Sequence, residues 1–85
     1  MALSDILHVG HQSYVLVKEI EAIVEDGGSS GIRKLRDQAA EAGRLIDLRH
    51  GHAGRSVVIT RSDTIYWAAV AAKTLVERVQ GSRSR

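Results

Sequence analysis

The chain has 85 residues with no Cys and no Pro, and its 44% apolar content includes only one Trp, two Tyr and no Phe. That allows one small domain with a core of Val, Ile, Leu and Ala, and it excludes disulfide frameworks, Cys-bearing zinc sites, thiol nucleophiles and iron–sulfur ligation. The net charge of +2 conceals an asymmetry: residues 1–30 sum to −4 and the other 55 to +6, and nine of the twelve bases are Arg. An uneven, Arg-rich balance is the footprint of an anionic partner, or of two oppositely charged faces that meet in an oligomer.

Chains of this size bury only about 60–65% of their unfolded surface, so subunit contacts are the staple still open to a core this thin. No uncharged stretch approaches the ~18 apolar residues of a membrane span, and the Met1–Asp5 start lacks the basic and apolar regions of a signal peptide. A cytoplasmic protein with no membrane partner is expected.

In chain order, Asp5–Val9 and Tyr14–Val17 predict a hairpin around Gly10–Ser13. Lys18-Glu19-Ile20 turns the chain into Glu21–Glu25, where alternation puts Ala22 and Val24 on one face. Asp26–Gly31 reads as a flexible loop. Ile32, Leu35, Ala39 and Ala42 recur at helical spacing, with Ser30 as N-cap and Gly43 as the stop, which predicts a helix over 32–42. Leu45–Leu48 and Ser56–Thr60 flank Arg49–Arg55 as a glycine-tipped hairpin. Arg61–Thr64 forms a second turn into a strand over 65–69, and Ala71–Val79 forms a short terminal helix. The reading is one domain over residues 1–80 with a disordered basic tail over 81–85. Its fold class is α+β, a small, mostly antiparallel β-sheet domain in the order β-β-β-α-β-β-β-α.

The chemistry is sparse. His50 and His52 lie two apart, so an extended strand would point both to one side, but no acid in the loop completes a metal set. No serine elbow and no placed acid pair is present, so no catalytic residue, cofactor or small-molecule substrate is expected. Gly27–Gly31 lacks the spacing of a nucleotide loop, although Ser29, Ser30, Arg33 and Lys34 at a helix start suit a backbone phosphate. Arg49–Arg55, with Arg at both ends and two His within, reads either as a phosphate clamp or as a plain exposed turn. Tyr66 and Trp67 are adjacent on one strand, so one of them should face outward, either as a subunit anchor or to stack on a base. The Leu75–Val79 stripe suits its own sheet or a neighbour equally.

Taken together, Val9-Gly10, the Lys18-Glu19-Ile20 turn, Ala42-Gly43, Leu45-Ile46-Asp47, Arg55–Thr60 and Thr74–Arg78 resemble the Rem-type extracellular-matrix regulators of bacteria, RemA and RemB, from about Ile6 to Val79. The resemblance implies a non-enzymatic regulator with a LytTR-like DNA-binding fold that closes into rings. It carries a hairpin arginine onto Arg55. It also places Glu19, His52 and Ala53 where the family has arginines, and Ala72 where a helix-starting proline is expected. The expectation is an oligomeric regulator that binds double-stranded DNA through Lys18, Arg49, His50, His52 and Arg55, with Arg33, Lys34 and Arg36 as a second basic surface. Tyr66, Trp67, Leu75 and Val79 would then make the subunit contact. The alternative is an assembly module of the same fold that does not bind DNA.

Overall fold

The computed structural model describes residues 6–10 and 12–83, and Asp5 and His11 of the expected first hairpin lie outside them. The elements are β1 (Ile6–Gly10), β2 (Ser13–Leu16), a 3-10 turn (Val17–Glu19), β3 (Ile20–Glu25), α1 (Ser30–Glu41), β4 (Leu45–Asp47), β5 (Ser56–Thr60), β6 (Ile65–Ala68) and α2 (Ala72–Arg83). This is the expected order in an α+β domain. β1 and β2 form a two-stranded antiparallel sheet, and a second sheet has the order β3-β5-β6-β4. Within the second sheet only β4 and β6 run parallel.

The four-stranded sheet is covered on both faces. One face carries α1, with Ile32 and Ala39 packed on Val57 and Ile65. The other carries the β1–β2 hairpin and α2, with Leu7, Val9, Val15 and Leu75 packed on Val58. The unbroken apolar run Val57-Val58-Ile59 follows from this arrangement: a central strand buried on both sides needs no polar face. In β3 the expected alternation holds for Val24, which faces α1, whereas Ile20 and Ile23 both face the hairpin because a bulge falls between Ile20 and Ala22.

Local sequence explains the helix ends. Ser29, not Ser30, caps α1, its Oγ accepting from the Ile32 N–H at 3.4 Å. At the other end Gly43 has φ +72°, and the N–H groups of Gly43 and Arg44 donate to the carbonyls of Ala40 and Ala39, the double closure that a left-handed glycine makes possible. The first turn of α2 holds no acid of its own. Instead Glu25, at the end of β3, accepts from the Ala72 N–H at 3.2 Å and places a carboxylate at the positive end of the helix. A proline at position 72 would forfeit that bond.

Three expectations are corrected. First, β4 and β5 do not form a hairpin: β6 lies between them, so the 48–55 loop crosses the end of β6, a span of two strand spacings, roughly 9.6 Å, that a tight turn cannot bridge. Second, neither Tyr66 nor Trp67 faces open solvent. Tyr66 packs toward the hairpin and Trp67 toward α1, because both faces of the sheet are occupied. Leu75 is fully buried in its own chain, so it has no surface left for a neighbour. Third, α2 continues through Arg83 into the segment expected as a tail. Gly81 costs a helix about 1 kcal/mol but does not break it, and no proline follows. Residues 84–85 lie outside the described residues.

Candidate nucleic-acid interface

The 48–55 loop is pinned at both ends. The Leu48 N–H donates to the Trp67 carbonyl at 2.9 Å, the Arg55 N–H donates to that of Ala68 at 2.8 Å, and the Arg55 carbonyl accepts from the Asp26 N–H at 3.0 Å. At its tip the His52 N–H donates to the Arg49 carbonyl at 3.0 Å, closing a turn whose central residues, His50 and Gly51, have φ of +51° and +86°. Two consecutive positive φ values are the signature of a type I′ turn, in which glycine is the natural second residue.

The centre of the site is Trp67. Its Nε1–H donates to Asp26 Oδ2 at 2.8 Å, which satisfies the one polar atom of a half-buried indole. Two guanidiniums stack on the ring, that of Arg49 at 3.5 Å and that of Arg36 at 4.1 Å from the ring centroid. Each has its own carboxylate. Arg49 donates through Nε and Nη2 to the two oxygens of Asp47, at 2.9 and 2.7 Å, and its main-chain N–H reaches Oδ1 at 2.9 Å. Arg36 Nε lies 3.2 Å from Asp26 Oδ2, too far off-line for a hydrogen bond but close enough to pair charges. Asp26 also turns its own chain, with Oδ1 accepting from the Gly28 N–H at 3.1 Å. Gly54 lies against the indole edge, so closely that a Cβ there would fall on Trp67 Nε1.

This arrangement re-sorts the expected DNA-contacting residues. The Arg36 side chain is only 13% exposed, so it is withdrawn from the basic surface of α1. Arg49 is 30% exposed and neutralised by Asp47, so it braces the loop. His50, His52 and Arg55 are exposed, as are Arg33 and Lys34 on α1, which starts at this same end of the sheet. Arg55 has no ion pair among the described residues. Lys18 does not join them: its turn sits against Arg61, at the far end of β5. A cleft of about 150 Å³ runs beside the loop, lined by Gly10, Leu48, Arg49, His50, His52 and Val70. Among the described residues no group of three or more His, Cys, Asp or Glu could hold a metal. No helix there is long and apolar enough to cross a membrane.

The side-chain hydrogen bonds from Arg49, followed by its main-chain N–H, hold the Asp47 carboxyl below its usual range. A depressed carboxyl stabilises the fold above the unfolded value, near 4, and that contribution disappears as pH falls through the lower folded value. For a half-exposed pair it is worth under about 1 kcal/mol. In a carboxyl-carbon NMR titration Asp47 is expected to titrate below the usual Asp value, and in Arg49→Ala to return to it. An unchanged Asp47 in the variant would show that Arg49 does not hold it.

Sequence reasoning missed Asp26, Asp47 and Gly54. It also missed the outer face of the β1–β2 hairpin, where Ile6 pairs with Leu16 and His8 with Tyr14, the two rings 5.0 Å apart. Tyr14 is 58% exposed. Tyr14 and Leu16 lie two apart in a strand, which was the available signal.

Comparison with known proteins places the chain in a wider group. The model of the RemA-like family, described as extracellular matrix regulatory protein A-like, matches residues 6–79. A candidate regulatory protein of Thermodesulfovibrio yellowstonii is 34% identical over 74 residues, covering 87% of this chain and 86% of its own. One from Nitratidesulfovibrio vulgaris is 36% identical over 73 residues, covering 86% and 82%. One from Geobacillus thermodenitrificans is 33% identical over 76 residues, covering 89% and 86%.

Proposed function

The chain belongs to the RemA-like family of regulatory proteins, and from that premise we propose that it binds double-stranded DNA in the cytoplasm, as a homo-oligomer and without catalysis. One observation carries this reading. The 48–55 loop is braced from beneath by two neutralised arginines on Trp67, while His50, His52 and Arg55 project from it beside Arg33 and Lys34. A fixed backbone presenting exposed arginine, lysine and imidazole donors contacts phosphates at little entropic cost. A single copy offers few such contacts, and several copies linked in a ring multiply them. The subunit contact falls to the exposed apolar side chains Ile6, Tyr14 and Leu16 and to the groove of about 200 Å³ that Val79 lines with Val17, Ile20, Ile23 and Val76.

The test is fluorescence anisotropy with duplex DNA across a salt series. Binding should weaken steeply with salt, and Arg55→Ala should lower affinity at least about tenfold and flatten the slope. Absence of binding at roughly 50 mM salt would sink the reading.

The neutralised state of Arg36 and Arg49 favours a second reading, an assembly module of the same fold that does not bind DNA. Light scattering together with the duplex-binding assay separates the two. An oligomer that ignores DNA fits the second reading, and a monomer undercuts both.

A further inference from the structure

The outer face of α1 carries its charges in the reverse of the order that its own helix favours. The positive end of a helix dipole prefers acids in the first turn, and the negative end prefers bases in the last. Here Arg33 stands in the first turn with Lys34 beside it, Asp37 follows, and Glu41 closes the last turn. The first turn holds no acid and the last turn no base. All four side chains are exposed, and among the described residues none of them has an ion pair or a side-chain hydrogen bond. Arg36, on the inner border of the same helix, is the base that the chain itself matches, with Asp26 and Trp67.

We propose that this face is a self-association surface, on which α1 of a second copy of this chain lies antiparallel across a two-fold axis. Residues 30, 33, 34, 37, 38 and 41 recur at spacings of one, three and four, so they share one side of the helix and line a shallow groove of about 270 Å³ along it. The bases occupy the first half of this side and the acids the second, their centres about 8 Å apart along the axis. A two-fold axis near residue 36 turns the second helix end for end. Arg33 and Lys34 then face Asp37 and Glu41 of the partner subunit, and the reverse holds at the other end. A parallel arrangement would set like charges against each other.

The same geometry relieves the inverted dipole. Glu41 comes to the positive end of the neighbouring helix, Arg33 comes to its negative end, and the two macrodipoles oppose. A two-fold contact needs only one surface complementary to itself, which two bases followed by two acids provide. The contact goes beyond the DNA reading and does not depend on it. It lies on the α1 side of the sheet, away from the apolar hairpin face, so both contacts can form in one assembly. In the pair Arg33 and Lys34 are engaged, so a phosphate competes for them with the partner's acids, whereas His50, His52 and Arg55 stay open.

The experiment is light scattering without DNA, at low salt and over a concentration series, on the full chain and two charge-reversed variants, Arg33→Glu/Lys34→Glu and Asp37→Lys/Glu41→Lys. The wild-type mass should fall as salt is added, because exposed pairs are screened. Each variant alone should show half the wild-type mass, since a two-fold contact joins two units whatever their size. The equimolar mixture, an acidic helix face against a basic one, should regain the wild-type mass. The acidic variant changes the net charge from +2 to −2, the same magnitude, so general repulsion between chains does not explain its loss. Both variants also place charges in the order the dipole favours, so they should melt no lower than wild type, and unfolding does not explain it either. A variant that keeps the wild-type mass, or a mixture that does not recover it, overturns the α1 contact and leaves the DNA reading standing. Loss of duplex binding in the salt series, with these masses as expected, overturns the DNA reading and leaves the α1 contact standing.

Discussion

Replacing Gly54 by Ala is expected to destabilise the fold by about 3 kcal/mol, through overpacking combined with the loss of a hydrogen bond to a charged acceptor. The added Cβ would fall on Trp67 Nε1 and lie 2.6 Å from Cε2. The main chain cannot withdraw easily, because the next residue is bonded on both sides, through the Arg55 N–H to Ala68 and the Arg55 carbonyl to Asp26. The indole must therefore move. Its Nε1–H then leaves Asp26 Oδ2, and the stacking with Arg36 and Arg49 is disturbed. For a domain of this size the melting temperature should fall by roughly 10–25 °C. Gly27→Ala is the control, since a Cβ there meets nothing within 4 Å, and it should melt close to wild type. The Gly54 variant should also bind DNA more weakly, because the same shift disorders the base on which His50, His52 and Arg55 stand. A Gly54→Ala protein that melts with the wild type would show that Trp67 is not locked in place.

The contrast between Gly27 and Gly54 shows where sequence stopped being informative. Both are glycines in polar loops, and only the strand order reveals that one of them lies against a tryptophan. That order depends on pairing β4 with β6, segments about twenty residues apart, and the glycine-rich run between Leu48 and Ser56 imitates a hairpin that the intervening β6 prevents. By contrast, α1 was legible because its determinants are local: the Ile32–Leu35–Ala39–Ala42 stripe and Gly43 act over a few residues. The family resemblance, drawn from Ile6 to Val79, was legible for a related reason, since collinear short strings survive without any knowledge of pairing, and the family model matches residues 6–79.

The charges were legible as a total and misleading one by one. Arg33, Lys34 and Arg36 read as a single basic surface, yet Arg36 turns inward to Trp67 and Asp26 while its neighbours stay in solvent. At 100° per residue Arg36 stands one turn on from Arg33 and one position from Leu35, at the border of the apolar stripe. A border arginine can lay its stem along the core when a carboxylate and an aromatic face are waiting. The waiting partners came from loop and strand positions far away in sequence. A lone Trp with one N–H to satisfy was the clue that an acceptor had to exist, and nothing local said that it was Asp26.

Asp26→Ala is expected to cost about 3–5 kcal/mol, the range for removing one member of a buried ion pair. The Asp26 side chain is 4% exposed and serves three groups at once: the Trp67 indole, the Arg36 guanidinium and the Gly28 N–H. Its removal leaves a mostly buried cation unpaired and an indole N–H without an acceptor. A chain of this size has a total stability of only roughly 4–13 kcal/mol, so the variant should be partly unfolded on mild heating. Asp26→Asn separates the contributions. It keeps one oxygen to accept from the Trp67 indole but cancels the charge facing Arg36, so a smaller loss of about 2 kcal/mol is expected. Pairing Asp26→Ala with Arg36→Met should recover much of the deficit, because the uncompensated charge is then gone. Denaturant melts followed by tryptophan emission provide the readout, since Trp67 is the only Trp and its environment changes when the bond to Asp26 is broken. If Asp26→Ala/Arg36→Met is no more stable than Asp26→Ala alone, the pair is not what anchors this loop, and the brace beneath the 48–55 loop must lie in the Arg49–Asp47 contact instead.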